Sequence, residues 1–373
     1  GDISAHRLAS AGRVSLLGAM VYWMVSAAYG AASGLFAALA LLMMPRMFLH
    51  GHLSNIDTTV AITWFAAMYL FWHSHDKAPS TAASASWVAR EPAVRAPGHL
   101  RSLLPTVLTG VAFGLALATK MNAVVLPVVW LLWLLAFDRS VRAMLRLAIV
   151  GAVGLATFLA LWPWLYHDTL NRLLYYFFMA SRFKDRPQYY LGETLSHVTW
   201  HYPFVITLAV VPLIVTVLGV LGILRILRSR PADRTGWLFI VNLALPLLVA
   251  ASGIQAAYSG ERHFIPAYPY LACLAGVGFG ELITTLTQAW ERTRRRSLGL
   301  PARRWTLLAL LLLLLPTAVT IARLHPYELS YYSEAVGGLS GAESIGLEAT
   351  FWCETYRDAL AYLNEHATKG ASV

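Results

Sequence analysis

The sequence is short of charge: Asp, Glu, Lys and Arg make up 13% of its 373 residues, about half the roughly 25% usual in soluble domains. Acids are the scarcer class, with 19 Asp and Glu against 29 Lys and Arg. Cysteine is nearly missing. Cys273 lies in an apolar run and Cys353 near the C-terminus, and the pair fits no metal-binding or redox spacing, so the two thiols are read as unpaired. The chain opens Gly1-Asp2-Ile3 with no signal peptide and no leading span, and is therefore read as lacking an N-terminal piece.

What fills the sequence is apolar. Hydrophobic residues reach 58% and the mean hydropathy is +0.57, which excludes an ordinary soluble domain and defines an integral membrane protein. A helix needs about 20 apolar residues to cross the hydrocarbon, and runs of this kind lie near 13–30, 31–48, 58–74, 103–119, 121–137, 145–166, 204–224, 236–252, 264–281 and 305–323. The expected fold is all-α, a polytopic bundle of about ten spans. Runs that abut at Tyr29-Gly30 and at Lys120-Met121-Asn122 leave room for one re-entrant pair.

The loops alternate in charge. Lys77 to Arg101, Arg139 to Arg146, Arg225 to Arg234 and Arg292 to Arg304 hold more than half of the 29 basic residues. Loops of this kind are cytoplasmic by the positive-inside rule, and this placement also explains the net charge of +10 without nucleic acid. Segments 75–102 and 282–304 read as solvated linkers on that side. The opposite set faces outward: 1–12, 49–57, the turn at Lys120, 167–203, 253–263 and 324–373. The expected organisation is a membrane domain over 1–323 and a small extracytoplasmic segment over 324–373, with an amphipathic helix from about Glu354 to His366.

Every unusual polar cluster falls on the outward set. Between Met44 and Asp57 stand His50, His52 and one carboxylate at the start of a span, and a carboxylate there is costly unless it faces a cavity or a partner. Asp57 directly precedes Thr58-Thr59-Val60, where it can also cap the helix. Lys120 ends one apolar run and begins another; its ammonium either snorkels or meets a phosphate as a point charge. In Tyr258-Ser259-Gly260-Glu261-Arg262-His263, Arg262 is the best phosphate ligand because its fork can hold two oxygens. Glu261 either pairs with Arg262 or, with His52, ligates a metal. Segment 167–203 is rich in aromatics, among them Tyr189 and Tyr190, which suits a helix at headgroup level or an aromatic belt at the membrane interface.

Together these motifs resemble a known family. The stretch Pro45 to Asp57 followed by a span, Gly114 to Pro127 around Thr119-Lys120, Gly260-Glu261-Arg262-His263-Phe264-Ile265-Pro266-Ala267-Tyr268-Pro269, and the tail His325-Pro326-Tyr327-Glu328-Leu329-Ser330-Tyr331-Tyr332 with Gly337-Gly338 are similar to GT-C glycosyltransferases. The branch is glycosyltransferase family 39, the protein O-mannosyltransferases and lipid A aminoarabinose transferase, in its bacterial form. Each motif is short, and their order covers nearly the whole chain.

The resemblance implies an inverting hexosyl or pentosyl transfer at the outer face of a bacterial inner membrane. The sugar leaves a polyprenyl phosphate for a hydroxyl of a protein, lipid or envelope glycan. No nucleotide is needed, and a divalent metal ion is left open. Asp57 matches the second acidic position, an active-site acid rather than the base. Lys120 and Arg262 match phosphate ligands, with His263, Tyr189 and Tyr190 as further substrate contacts and His52 and Glu261 as the metal candidates. The family's leading acidic pair belongs to a loop after a first span, and this sequence contains neither. The competing readings are a secondary transporter or lipid-carrier flippase, and a non-catalytic scaffold. Transporters carry charges and helix breaks near mid-span, whereas here the ionisable residues gather at one face.

Overall fold

The computed structural model describes residues 3–75, 100–182, 187–197, 199–229, 232–253, 259–293, 302–352, 355–368 and 370. Most of the linker expected over 75–102, the run Arg294 to Arg296, and Cys353 lie outside the described residues.

The described chain is a helical bundle, as expected. Its first part runs α1 (Ile3–Tyr29), α2 (Ala31–Leu42), α3 (Pro45–His52), α4 (Ile56–His75), α5 (Leu100–Thr119), α6 (Leu126–Phe137), α7 (Val141–Leu161) and α8 (Thr169–Arg182). A short hairpin follows, β1 (Gln188–Tyr190) and β2 (Glu193–Leu195), then α9 (Tyr202–Val210), α10 (Leu213–Ser229), α11 (Arg234–Ala251), α12 (Tyr268–Thr293), α13 (Ala302–Leu324), α14 (Gly338–Ser344) and α15 (Tyr356–His366).

Not every one of the ten expected runs forms a single straight span among the described residues, and Leu103–Thr119 and Met121–Phe137 are shorter apolar helices. Among the described residues five stretches are long and apolar enough to cross a membrane, Arg7–Tyr29, Val141–Leu161, Arg234–Ala251, Ile265–Trp290 and Trp305–Leu324, or up to seven if two bent pairs each count as one. The chain is a multi-pass membrane protein. The run at 31–48 bends by 68° between α2 and α3, and the run at 204–224 by 119° between α9 and α10. Proline explains both breaks, because the residue before it is driven out of the helical region. Met44 precedes Pro45 with ψ 118°, and Val211 precedes Pro212 with ψ 133°.

The run at 58–74 also falls outside that count, and its surroundings say why. α4 is buried on nearly every side, with Trp64, Phe65, Ala67, Met68 and Phe71 at 1% exposure or less. A helix enclosed by protein has no lipid to match, so it can carry Asp57, Thr58, Thr59 and Thr63. Trp64 Nε1 donates to Asn242 Oδ1 and Trp72 Nε1 to Thr235 Oγ1, each at 3.0 Å, fastening α4 to α11. By contrast α13 shows Leu307, Leu308, Leu311, Leu312 and Leu315 outward, as a lipid-facing helix does.

Close helix contacts rest on small residues, since lipid supplies no hydrophobic drive between helices. α10 and α12 cross where Gly222 and Gly278 bring the backbones together: a Cβ at Gly278 would stand 1.9 Å from Leu218 O, and one at Gly222 2.0 Å from Leu274 O. At the bundle end away from Asp57, Asp233 accepts from Tyr29 Oη at 2.6 Å and pairs with Arg225 at 3.1 Å. That network joins α1, α10 and the start of α11.

Candidate active site

Asp57 does not cap α4. Asn55 does: its Oδ1 accepts the N–H groups of Asp57 and Thr58 at 3.1 and 3.0 Å. The Asp57 carboxylate is thereby left for other partners. It is 1% exposed and lies between two cations, with Oδ1 2.6 Å from Lys120 Nζ and Oδ2 3.4 Å from Arg262 Nε. The first contact is a short charge-assisted hydrogen bond; the second is an ion pair.

Lys120 is placed by the break between α5 and a following 3₁₀ turn, Met121–Val125, where its φ and ψ are extended at −159° and 135°. From there Nζ also donates to Arg262 O at 3.2 Å, while Asn122 Nδ2 donates to His263 O at 2.9 Å. Burial pushes the Lys120 ammonium below its usual range, and Arg262 adds to that, while Asp57 opposes it. The His263 ring is held well below its usual range by burial and by the charges of Lys120 and Arg262.

Glu261 faces the other way. Ser259 and Gly260 both take left-handed φ, 55° and 68°, and this turn sends consecutive side chains to separate clusters. Glu261 is fully buried, with Oε2 2.9 Å from Arg46 Nη1 and Oε1 3.3 Å from His50 Nε2. Burial alone would raise its pKa. The Arg46 charge and the His50 hydrogen bond win, and the carboxyl is held down at about 2. Arg46 Nε donates to Tyr331 O at 3.1 Å, and its guanidinium lies 4.7 Å from the Tyr332 ring centre.

Arg46, which the sequence reading did not single out, and His50, which it named without this partner, thus complete the site end, both on Glu261. A signal for them exists: they stand four residues apart on α3 and share one helix face, whereas His52 is turned off it. His52 is exposed, its Nδ1 donating to Phe48 O at 2.7 Å. The structure therefore does not bring His52 to Glu261. Among the described residues no group of three or more His, Cys, Asp or Glu gathers as a metal set.

The aromatic segment also divides. α8 takes up the first part of it as a helix, with Leu170, Leu174, Tyr175 and Phe178 exposed, but Tyr189 and Tyr190 lie beyond it on β1. The hairpin turns at Leu191-Gly192, both at positive φ, the backbone that two-residue turns require. On a strand neighbouring side chains point oppositely. Tyr190 is buried, its Oη 2.8 Å from His201 Nδ1, and burial lifts it to about 12. Tyr189 is 44% exposed and lines a narrow cleft with Arg46, Tyr332, Glu348 and Phe351. Gln188 fastens the hairpin to the site: its Oε1 accepts Ser259 N–H at 2.7 Å and its Nε2 donates to Glu348 Oε2 at 3.0 Å.

Segment 324–352 folds over both clusters. Phe351 lies under Arg46, and Trp352 stacks 5.0 Å from the Arg262 guanidinium. What results is a buried acid held by two cations that keep an edge open, Lys120 at 11% and Arg262 at 20% exposure. With all three side chains ionised, the trio carries one net positive charge.

The bundle has the GT-C fold of membrane glycosyltransferases. It is similar to ArnT from Cupriavidus metallidurans in the apo state, with a TM-score of 0.54 and 17% identity over 91% of this chain and 63% of that one. The same enzyme bound to undecaprenyl phosphate gives 0.54 and 17% over 99% and 68%. An oligosaccharyltransferase from Archaeoglobus fulgidus, tethered with an acceptor peptide, gives 0.51 and 13% over 99% of this chain and 47% of its own. This chain thus spans less than two thirds of the apo ArnT chain and about half of the oligosaccharyltransferase. No protein-family model and no curated protein matches the sequence.

Proposed function

We propose that the protein is a membrane glycosyltransferase that takes a sugar from a polyprenyl phosphate and passes it, with inversion, to a hydroxyl acceptor on the outer face of the membrane. The observation that carries this is the excess positive charge of the Lys120–Asp57–Arg262 trio, at the end of the bundle where α4 starts and α5 ends. A phosphate there meets a point charge and a guanidinium fork already in place, which need no reorganisation as the leaving group gains charge. The undecaprenyl phosphate bound in the ArnT structure supports a carrier of that class.

In this reading the bond from the anomeric carbon to the phosphate oxygen breaks while the acceptor oxygen bonds to that carbon from the opposite side. Lys120 and Arg262 take up the charge left on the phosphate. Asp57, with both oxygens turned to cations, holds them in place and is not the base. His263 stands behind this pair, and Tyr189, exposed beside the cleft, is the aromatic best placed to meet a sugar or acceptor. Residues 1–323 form the membrane domain and 324–373 its outward segment.

The experiment is binding of undecaprenyl phosphate in detergent, followed by sugar release from a polyprenyl-phosphate sugar. Arg262→Ala and Lys120→Ala should each weaken binding at least tenfold in folded protein. Unchanged binding in both removes the assignment. Orientation is checked by cysteine labelling in sealed cells: a cysteine at Ser54 should react from outside and one at Ser229 only after permeabilisation, and the reverse pattern sinks the outward placement.

A further inference from the structure

Asn55 stands at the joint between the two charge clusters. Its Oδ1 accepts from Asp57 N, Thr58 N and Thr58 Oγ1 at 3.1, 3.0 and 2.9 Å. First-turn N–H groups have no acceptor within their helix, so the amide oxygen has to face them and the orientation of the group is fixed. Nδ2 then points at His50, donating to Nδ1 at 3.2 Å, which leaves His50 Nε2 to donate to Glu261.

An Asp in the first turn of a helix has a competing use. Its short carboxylate can itself accept the N–H groups at the terminus. At Asp57 those donors are already taken, the side chain is 1% exposed, and both oxygens face cations.

We propose that Asn55 is a positioning residue: by capping α4 itself, and by being tethered to His50, it turns the Asp57 carboxylate off the helix terminus and onto Lys120 and Arg262. The ionisable groups facing Lys120 are Asp57 from α4 and Arg262 and His263 from the loop before α12. Of these Asp57 alone is negative, so its seat sets how firmly Lys120 stays charged. The inference concerns a seat that the phosphate reading uses, but it is read without lipid, so the two can fail separately.

The sequence has only four lysines, Lys77, Lys120, Lys184 and Lys369, so the Cε resonance of Lys120 can be followed in 13C-lysine-labelled protein across a pH titration, with Lys120→Arg as the assignment. Losing a carboxylate this close moves a titration by roughly 1–3 pH units, and Asp57→Asn should lower the Lys120 midpoint by at least about one. Asn55→Gly keeps a residue that helices accept at the cap but removes the side-chain acceptor; it should move the midpoint at least half as far as Asp57→Asn. Asn55→Asp restores an acceptor and should titrate at or above the wild type. The proposal is overturned if Asn55→Gly titrates with the wild type, if Asn55→Asp falls with Asp57→Asn, or if Asp57→Asn itself leaves Lys120 unmoved. Should the Gly variant not fold, the Asp variant decides alone.

Discussion

Lys120 Nζ and Asp57 Oδ1 meet at 2.6 Å across 63 residues of sequence, joining the end of α5 to the first turn of α4. Removing one partner of a buried pair strands the other and costs about 3–5 kcal/mol, whereas replacing both with apolar groups is often near neutral. Lys120→Met should therefore lower stability by about 3 kcal/mol in chemical unfolding, and Asp57→Leu/Lys120→Met should recover at least half of that. A double variant as weak as the sum of its singles would remove the coupling.

The second cluster predicts an acid limit. Glu261 has its carboxyl held at about 2 against an ordinary 4.5, so the native state binds its proton more weakly than the unfolded chain. The stabilisation is full above about pH 4.5 and is lost as pH falls toward 2, on the order of 3 kcal/mol in total. Thermal unfolding in detergent should show the drop, and Glu261→Gln, weaker throughout because Arg46 is stranded, should lack that part of the slope. Equal slopes in the two proteins would assign the acid sensitivity elsewhere.

Trp352 covers the Arg262 guanidinium at 5.0 Å. A contact of this kind is worth about 1 kcal/mol, or roughly a fivefold change in an equilibrium constant. Trp352→Leu should weaken undecaprenyl phosphate binding by about that factor and lower unfolding stability by no more than about 1 kcal/mol. Binding unaltered beyond twofold would mean that the ring does not hold Arg262.

At the crossing of α10 and α12, Gly278→Ala would put a methyl group 1.9 Å from Leu218 O. Overpacking typically costs about 1–3 kcal/mol, and a backbone obstacle puts this variant at the upper end. Gly151→Ala, where the new atom meets nothing within 4 Å, is the control and should match the wild type. Both are read from unfolding midpoints at one detergent concentration.

Much of this was legible in the sequence, because lipid imposes a length and an apolarity that no soluble helix needs. Asp57, Lys120 and Arg262 stood out as charges at the ends of apolar runs, and the structure brings the three together. The breaks at Pro45 and Pro212 were not read, since both prolines sit inside runs taken as continuous, and a run of apolar residues hides a bend unless the proline is read as punctuation. The hairpin was not: its strands are three residues each, too short for an alternating pattern, and its Leu191-Gly192 turn has one glycine as its signal. The partner of Glu261 was misplaced because adjacency in sequence suggested Arg262, whereas the left-handed Ser259-Gly260 turn throws the two side chains apart.

That turn has a mechanical consequence. Because Glu261 and Arg262 are consecutive, one peptide unit carries the anchor of the Arg46 cluster and an arm of the Asp57 cluster, while Gln188 holds Ser259 just ahead of it from the hairpin and Phe351 and Trp352 lie against the Arg46 and Arg262 guanidinium groups. The two clusters therefore share one stretch of backbone, and a change at the Ser259-Gly260 turn reaches the partner of Arg46 and the partner of Asp57 together.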